Sequence, residues 1–214
     1  MPHHTKTRTM VMQNSIRAAL FDFGGVLAEE GFREGLQAIG RKNGLDPDQF
    51  FAAVDSLIYE TGYLTGTAQE NAFWNTVRNR TGISGDDASL KREILSRFVM
   101  RPEVLSRVDL LRSRGIIVAM LSDQTNWLDE IDRQTALFGH FDRVFNSYHF
   151  HQSKRDATVF TNVCAELGVK TAETLFIDDN LKHIERARSR GLLTLHFVSV
   201  DDFVRQLTKF ISPG

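Results

Sequence analysis

Four polar clusters interrupt otherwise apolar stretches of this chain: Asp22 with Gly24-Gly25, Ser122-Asp123, Lys154, and Asp178-Asp179-Asn180. A carboxylate such as Asp22 is a competent nucleophile for covalent transfer. Three carboxylates at one place repel one another unless a hard cation sits between them. Mg²⁺ suits that position, because it takes a few carboxylate oxygens together with waters and phosphate. A lysine facing the acids neutralises an anion and orients the first carboxylate. A serine hydroxyl, with backbone N–H groups at a helix N-terminus, holds phosphate oxygens. Together they suit phosphoryl transfer through an aspartyl phosphate. Singly, each cluster has an ordinary explanation. Asp22 is a turn residue, Ser122-Asp123 or Asp178-Asp179-Asn180 cap the helices that follow, and Lys154 is a solvated charge.

What gives the clusters joint meaning is the set of elements that carries them. Ala18 to Phe23, Ile116 to Leu121 and Thr174 to Ile177 read as buried parallel strands, with weaker ones at Arg143 to Phe145 and Leu192 to Phe197. Between them, apolar residues recur at helical spacing, as in Val104, Val108, Leu111 and in Val159, Val163, Leu167. Gly115, Gly168 and Gly191 stop helices just before the next strand. Strand, helix, glycine, strand is the pattern of right-handed βαβ units, so the expected fold class is α/β with a doubly wound parallel sheet. Ligands of such sheets bind at the carboxyl ends of the strands. Asp22, Ser122-Asp123 and Asp178-Asp179 each end a strand. Lys154 falls in the loop between Phe145 and a helix beginning near Asp156. Topology alone therefore gathers them at one edge.

The rhythm breaks between the first strand and a helix starting near Pro102. Residues 32–41, 47–60, 68–80 and 86–98 read as helices separated by glycines. A structureless loop of that length does not suit a compact domain. We expect an inserted helical domain over 30–100, with 16–29 and 101–214 forming the α/β core.

Composition narrows the function classes. The 214 residues carry 26 basic and 27 acidic side chains, a formal net charge of −1. No basic excess argues for nucleic acid and no polybasic run for a membrane surface. No apolar stretch is long enough for a spanning helix. The single cysteine, Cys164, cannot form an internal disulfide, which fits a reducing, cytoplasmic setting. Residues 1–15 carry Lys6 and Arg8 and no acid, but they lack the apolar core of a secretory signal. They read as a tail, with Met10 or Met12 as alternative starts.

The ordered set of clusters resembles the four motifs of the haloacid dehalogenase-like superfamily. LFDFGGVL (Leu20 to Leu27) is similar to the first motif, MLSDQT (Met120 to Thr125) to the second, HQSKRDATVF to the third, and FIDDN (Phe176 to Asn180) to the acidic fourth. The similarity runs over roughly residues 16 to 200, and the insertion resembles the cap of subfamily I. The resemblance implies that Asp22 attacks phosphorus, that Ser122 and Asp123 contact phosphate, and that Lys154 serves both catalysis and phosphate binding. It also implies Mg²⁺ held by Asp22, the backbone carbonyl of Gly24, and the fourth-motif acids, Asp179 directly and Asp178 through water.

Three residues depart from the family pattern. Phosphatases of the family carry a proton-donating aspartate where this chain has Gly24; Glu29, Glu30 and the cap are candidate substitutes. Asp123 stands where asparagine is common, and Arg155 stands where proline is usual. The expected function is Mg²⁺-dependent hydrolysis of small phosphate esters, sugar phosphates among them. The alternative is a catalytically weak or inactive binding or regulatory protein, because Gly24 removes the acid. Dehalogenase and phosphomutase activities fit less well. Phe73 and Trp74 read as packing residues of the cap, and the pair His149 and His151 is too sparse for a metal site. Pairing of caps would make an oligomer.

Overall fold

Five short strands, β1 (Ala18–Phe21), β2 (Ile117–Ser122), β3 (Arg143–Asn146), β4 (Thr174–Asp178) and β5 (Leu193–His196), form one parallel sheet in the order β3-β2-β1-β4-β5. They come from a computed structural model that describes residues 16–211; the amino-terminal tail and its alternative starts lie outside that range. Alternation explains why the runs become strands. Ala19 and Phe21 point into one hydrophobic cluster and Leu20 into another across the sheet, while their neighbours Met120 and Ile177, and Leu121 and Phe176, divide the same way. Both faces are buried, so the runs are apolar throughout rather than alternating.

Helices α5 (Pro102–Ser113), α6 (Trp127–Thr135) and α10 (Val200–Ile211) cover the first face through Val104, Val108, Leu128 and Phe203. Helices α8 (Thr158–Glu166) and α9 (Leu181–Ser189) cover the second through Phe160, Val163 and Ile184. The result is a three-layer, doubly wound α/β core. A short helical turn, α7 (Ser147–Phe150), follows β3. Register fixes the edge chemistry: Phe21 lies opposite Met120 and Ile177, and Asp22 N–H still donates to the Ile177 carbonyl at 3.0 Å. One residue further, Asp22 and Asp178 are side by side. The chain leaves the sheet earlier than the apolar run predicts. The N–H groups of Val26, Leu27 and Ala28 all turn back onto the Phe23 carbonyl.

The insertion holds four helices, α1 (Gly31–Lys42), α2 (Pro47–Glu60), α3 (Glu70–Thr81) and α4 (Asp87–Leu95). Local chemistry accounts for their limits. Asp46 accepts the N–H groups of Asp48 and Gln49 at 3.1 and 2.8 Å while Pro47 opens α2. Helix α4 ends three residues before the apolar pattern does, where Phe98 turns inward to meet the Phe23 ring at 5.0 Å. The outgoing and returning chains run side by side: Glu29 N–H donates to the Val99 carbonyl and Arg101 N–H to the Leu27 carbonyl, both at 2.8 Å.

An aromatic cluster ties these helices to the sheet domain. Tyr63, Phe73 and Trp74 are fully buried, and Trp74 stacks on Trp127 of α6 at 5.9 Å. Phe73 and Trp74 are thus packing residues, although the packing reaches α6. Among the described residues, no helix is long and apolar enough to cross a membrane. Because Trp127 belongs to both packing units, Trp127→Ala should cost about 3–5 kcal/mol. Urea unfolding followed by circular dichroism should still show a single transition. Two separated transitions in the unmodified protein would contradict a shared core.

Candidate active site

Lys154 is the largest charged side chain in the interior, 1% exposed. Its ammonium lies 2.8 Å from Asp22 Oδ2 and 2.7 Å from Asp178 Oδ2, so one buried cation links the ends of β1 and β4. The other Asp22 oxygen accepts the Phe23 N–H at 2.7 Å. The other Asp178 oxygen accepts the Asn180 N–H at 2.7 Å, and His183 Nδ1 approaches Oδ2 at 3.2 Å. Asn180 accepts the Lys182 N–H and caps α9, so the acidic tripeptide divides its work: Asn180 caps, and Asp178 faces inward.

Electrostatics follow from two buried carboxylates sharing one ammonium. Burial works to raise the Asp178 carboxyl, but Lys154 and His183 outweigh it and hold it below the usual carboxylate range. Burial raises the Asp22 carboxyl well above its ordinary value; Asp178 and Asp179 add to the rise and Lys154 opposes it. Burial would lower the Lys154 ammonium, yet Asp178, Asp22 and Asp123 together push it upward. Asp179, raised by burial and by Asp178, faces the cleft beside the Gly25 turn. A Cβ on Gly25 would stand 2.2 Å from Asp179 Oδ2, and its φ of +81° favours glycine. That close approach is why the turn needs Gly25. Gly24 has no such requirement: its Cβ would meet Phe98 at 3.4 Å and Gln124 at 3.8 Å, in ordinary contact, and its φ is not left-handed.

The second motif behaves differently from a helix cap. Asn126, not Ser122 or Asp123, occupies the cap position of α6. Ser122 Oγ is buried with no hydrogen-bond partner, an orphan that a phosphate oxygen would satisfy. Asp123 departs from the expected phosphate contact. Its Oδ1 accepts the Lys154 backbone N–H at 2.8 Å and its Oδ2 the Tyr59 hydroxyl at 3.2 Å. A carboxylate with both oxygens so engaged braces the lysine loop against α2 and has no donor for phosphate.

Asp22, Gly24, Asp123, Lys154 and Asp179 line one cleft of about 890 Å³ between the sheet edge and the inserted helices. Acidic oxygens in excess of Lys154's single charge fit a hard divalent cation, which would offset both the burial and the mutual repulsion that raise Asp22 and Asp179. Asp22, Asp178 and His183 approach closely enough to share an ion. His183 already points at Asp178, however, and imidazole is a poor match for an oxygen-seeking cation. Sequence reasoning misses His183; its one signal is its place in the first turn of the helix after Asp178. His149 pairs with Asp129 at 2.8 Å and His151 with the Thr65 carbonyl at 2.8 Å, so the two form no metal pair. Arg155 lies over the Tyr59 ring and reaches Asp55 at 3.2 Å, another brace between core and insertion.

Removing the shared cation gives a test with a definite sign. Lys154→Met strands two buried carboxylates and should cost about 3–5 kcal/mol at neutral pH. In the unmodified protein, the lowered Asp178 carboxyl stabilises the fold above the ordinary carboxylate range, and this is lost as pH falls through the lowered value. In the variant, with Lys154 no longer opposing them, burial and mutual repulsion raise both carboxyls, Asp22 further than in the unmodified protein, so protonation relieves them. The stability gap between the two proteins should narrow as pH falls from about 7.5 to about 5.5. Urea unfolding in chelator at both pH values checks this; a constant or widening gap would contradict the shared-cation arrangement.

Known proteins resemble this chain in sequence and fold. The haloacid dehalogenase-like hydrolase family pattern matches residues 16–191. Drimenol cyclase of Aspergillus calidoustus is 36% identical over 167 residues, which cover 73% of this chain but only 30% of that protein. A sesquiterpene phosphatase of Aspergillus oryzae is 24% identical over 86% of this chain and 91% of its own length. Among solved structures, a Bacteroides thetaiotaomicron family enzyme complexed with magnesium and inorganic phosphate superposes with a TM-score of 0.68 and 23% identity, covering 85% of this chain and 93% of that one. With the four motifs at the carboxyl edge of a matching sheet and the family pattern spanning most of its length, this chain belongs to the haloacid dehalogenase-like hydrolases.

Proposed function

We propose that this protein hydrolyses small phosphate monoesters in a Mg²⁺-dependent reaction through an aspartyl phosphate on Asp22. The observation that carries this reading is the Asp22–Lys154–Asp178 bridge, set beside the unpartnered hydroxyl of Ser122. Lys154 holds the Asp22 carboxylate with one oxygen fixed by the Phe23 N–H, which orients the nucleophile. The Ser122 hydroxyl and the lysine ammonium bind phosphate oxygens. Asp22, the Gly24 carbonyl and Asp179 would hold Mg²⁺ directly, with Asp178 behind them. Bound there, Mg²⁺ supplies charge neutralisation at the phosphoryl oxygens. Asp123 contributes by fixing the Lys154 loop.

The inserted helices, residues 30–100, are in this reading a cap that selects the leaving group. Phe32, Phe51, Ile58, Leu64 and Trp127 set apolar side chains into a lining that is otherwise mostly polar, and Arg33 and Arg186 bring positive charge to it. Those side chains offer contact to an ester whose body is partly apolar. The sesquiterpene phosphatase among the relatives is in keeping with this. A buried, free Cys164 suits the cytoplasmic setting we infer. Gly24 supports the second reading, a binding or regulatory protein with little turnover, because it lacks the acid that speeds departure of the leaving group.

Assay with an activated aryl phosphate and Mg²⁺ separates the two. The hydrolase reading expects turnover that falls at least about 10³-fold in Asp22→Asn, with little change in melting temperature. It expects calorimetry to show weaker Mg²⁺ binding by Asp179→Asn. Turnover that survives Asp22→Asn in a pure preparation would move the chemistry elsewhere. No turnover with intact Mg²⁺ binding would favour the binding protein.

A further inference from the structure

An alkyl phosphate cannot release its alcohol quickly unless the departing oxygen receives a proton, and general acid catalysis contributes about 10²–10⁴-fold. The cleft offers several titratable groups, and the geometry assigns most of them elsewhere. Asp55 is paired with Arg155. Both Asp123 oxygens are taken. The Tyr59 hydroxyl donates to Asp123. His183 faces Asp178, and His196 Nε2 meets the Asp179 carbonyl at 2.9 Å. Glu29, the neighbouring candidate, is drawn outward to the Arg101 guanidinium at 2.7 Å and is half exposed.

Glu30 remains. It stands where the chain leaves the core for the insertion, lines the cleft, and uses one oxygen, Oε1, to accept the Arg33 N–H at 3.3 Å. Its other oxygen, Oε2, lies 3.8 Å from the point where a Gly24 side chain would begin. No backbone need dictates glycine at 24, and its lack of a side chain lets Glu30 Oε2 approach there, beside Phe98 and Gln124. We propose that Glu30 is the proton donor to the leaving oxygen, reaching from the start of α1 into the space that Gly24 leaves. Burial raises its carboxyl above the ordinary value, in keeping with that role.

The step balances with what the site holds. As an Asp22 oxygen bonds to phosphorus, the bond from phosphorus to the ester oxygen breaks, and that oxygen keeps the electron pair and takes the Glu30 proton. Water then attacks the aspartyl phosphate and gives a proton to the Glu30 carboxylate. The bond from phosphorus to Asp22 breaks, and phosphate, free Asp22 and protonated Glu30 remain. This inference rests on the phosphatase reading.

The test is kcat/KM for a series of phosphate monoesters, from p-nitrophenyl phosphate through phenyl phosphate to an alkyl phosphate, in wild type, Glu30→Gln, and Glu30→Gln with Gly24→Asp. Glutamine still accepts the Arg33 N–H, so the helix cap is kept while the proton is removed. Glu30→Gln should lose about 10²-fold or more on the alkyl ester and less than about 10-fold on p-nitrophenyl phosphate. Adding Gly24→Asp should restore the alkyl rate in particular. An equal loss across the series, or no loss on the alkyl ester, would overturn the assignment of Glu30 and leave the phosphatase reading standing. Absence of Asp22-dependent hydrolysis for every ester would overturn both.

Discussion

The structure turns on one buried ammonium. Two ionised carboxylates at adjacent strand ends are costly to hold together in the interior without a cation between them, because an unpaired buried charge is costly. Lys154 supplies that cation from a different part of the chain, and much of the surrounding architecture exists to keep it in place. Its backbone N–H is held by Asp123, and Asp123 is held by Tyr59 of the insertion. The Asp22–Lys154–Asp178 bridge and the inserted helices are therefore joined by a short chain of hydrogen bonds. A disturbance of the insertion would be felt at Asp22.

Packing reinforces the coupling. Trp127 opens the helix after the second motif and stacks on Trp74 of the insertion, while Tyr63 reaches Asn126 at 2.6 Å. The segment between β2 and α6 is thus pinned by the insertion through Trp74 and Tyr63. Glycine serves at two neighbouring positions for different reasons. Gly25 is required by its backbone and by the approach of Asp179, whereas Gly24 leaves space that its neighbours occupy.

Much of this arrangement is legible in the amino-acid sequence. Strands are signalled by short apolar runs, and the carboxyl-edge rule then singles out Asp22, Ser122 and Asp178 from the other polar residues. Helix α2 is bounded by Asp46-Pro47 alone, since capping is local chemistry. The illegible part depends on contacts distant in sequence. Asp123 reads as a phosphate neighbour because nothing near it in the chain foretells Tyr59, 64 residues earlier. His183 reads as an ordinary helix residue, and only the fold turns it toward Asp178. Glu29 and Glu30 are indistinguishable as adjacent acids, until the returning chain brings Arg101 to one and leaves the other facing the cleft.

The central claim is that the carboxylate sharing Lys154 with Asp178 is the group that accepts the phosphoryl group. A crystal structure of the protein with Mg²⁺ and beryllium fluoride, which mimics a phosphoryl group on a carboxylate, tests it most directly. The account predicts beryllium bonded to an Asp22 carboxylate oxygen, with fluorides in reach of the Ser122 hydroxyl and the Lys154 ammonium. Beryllium bonded to a different carboxylate, under conditions where the cleft is occupied, would contradict it.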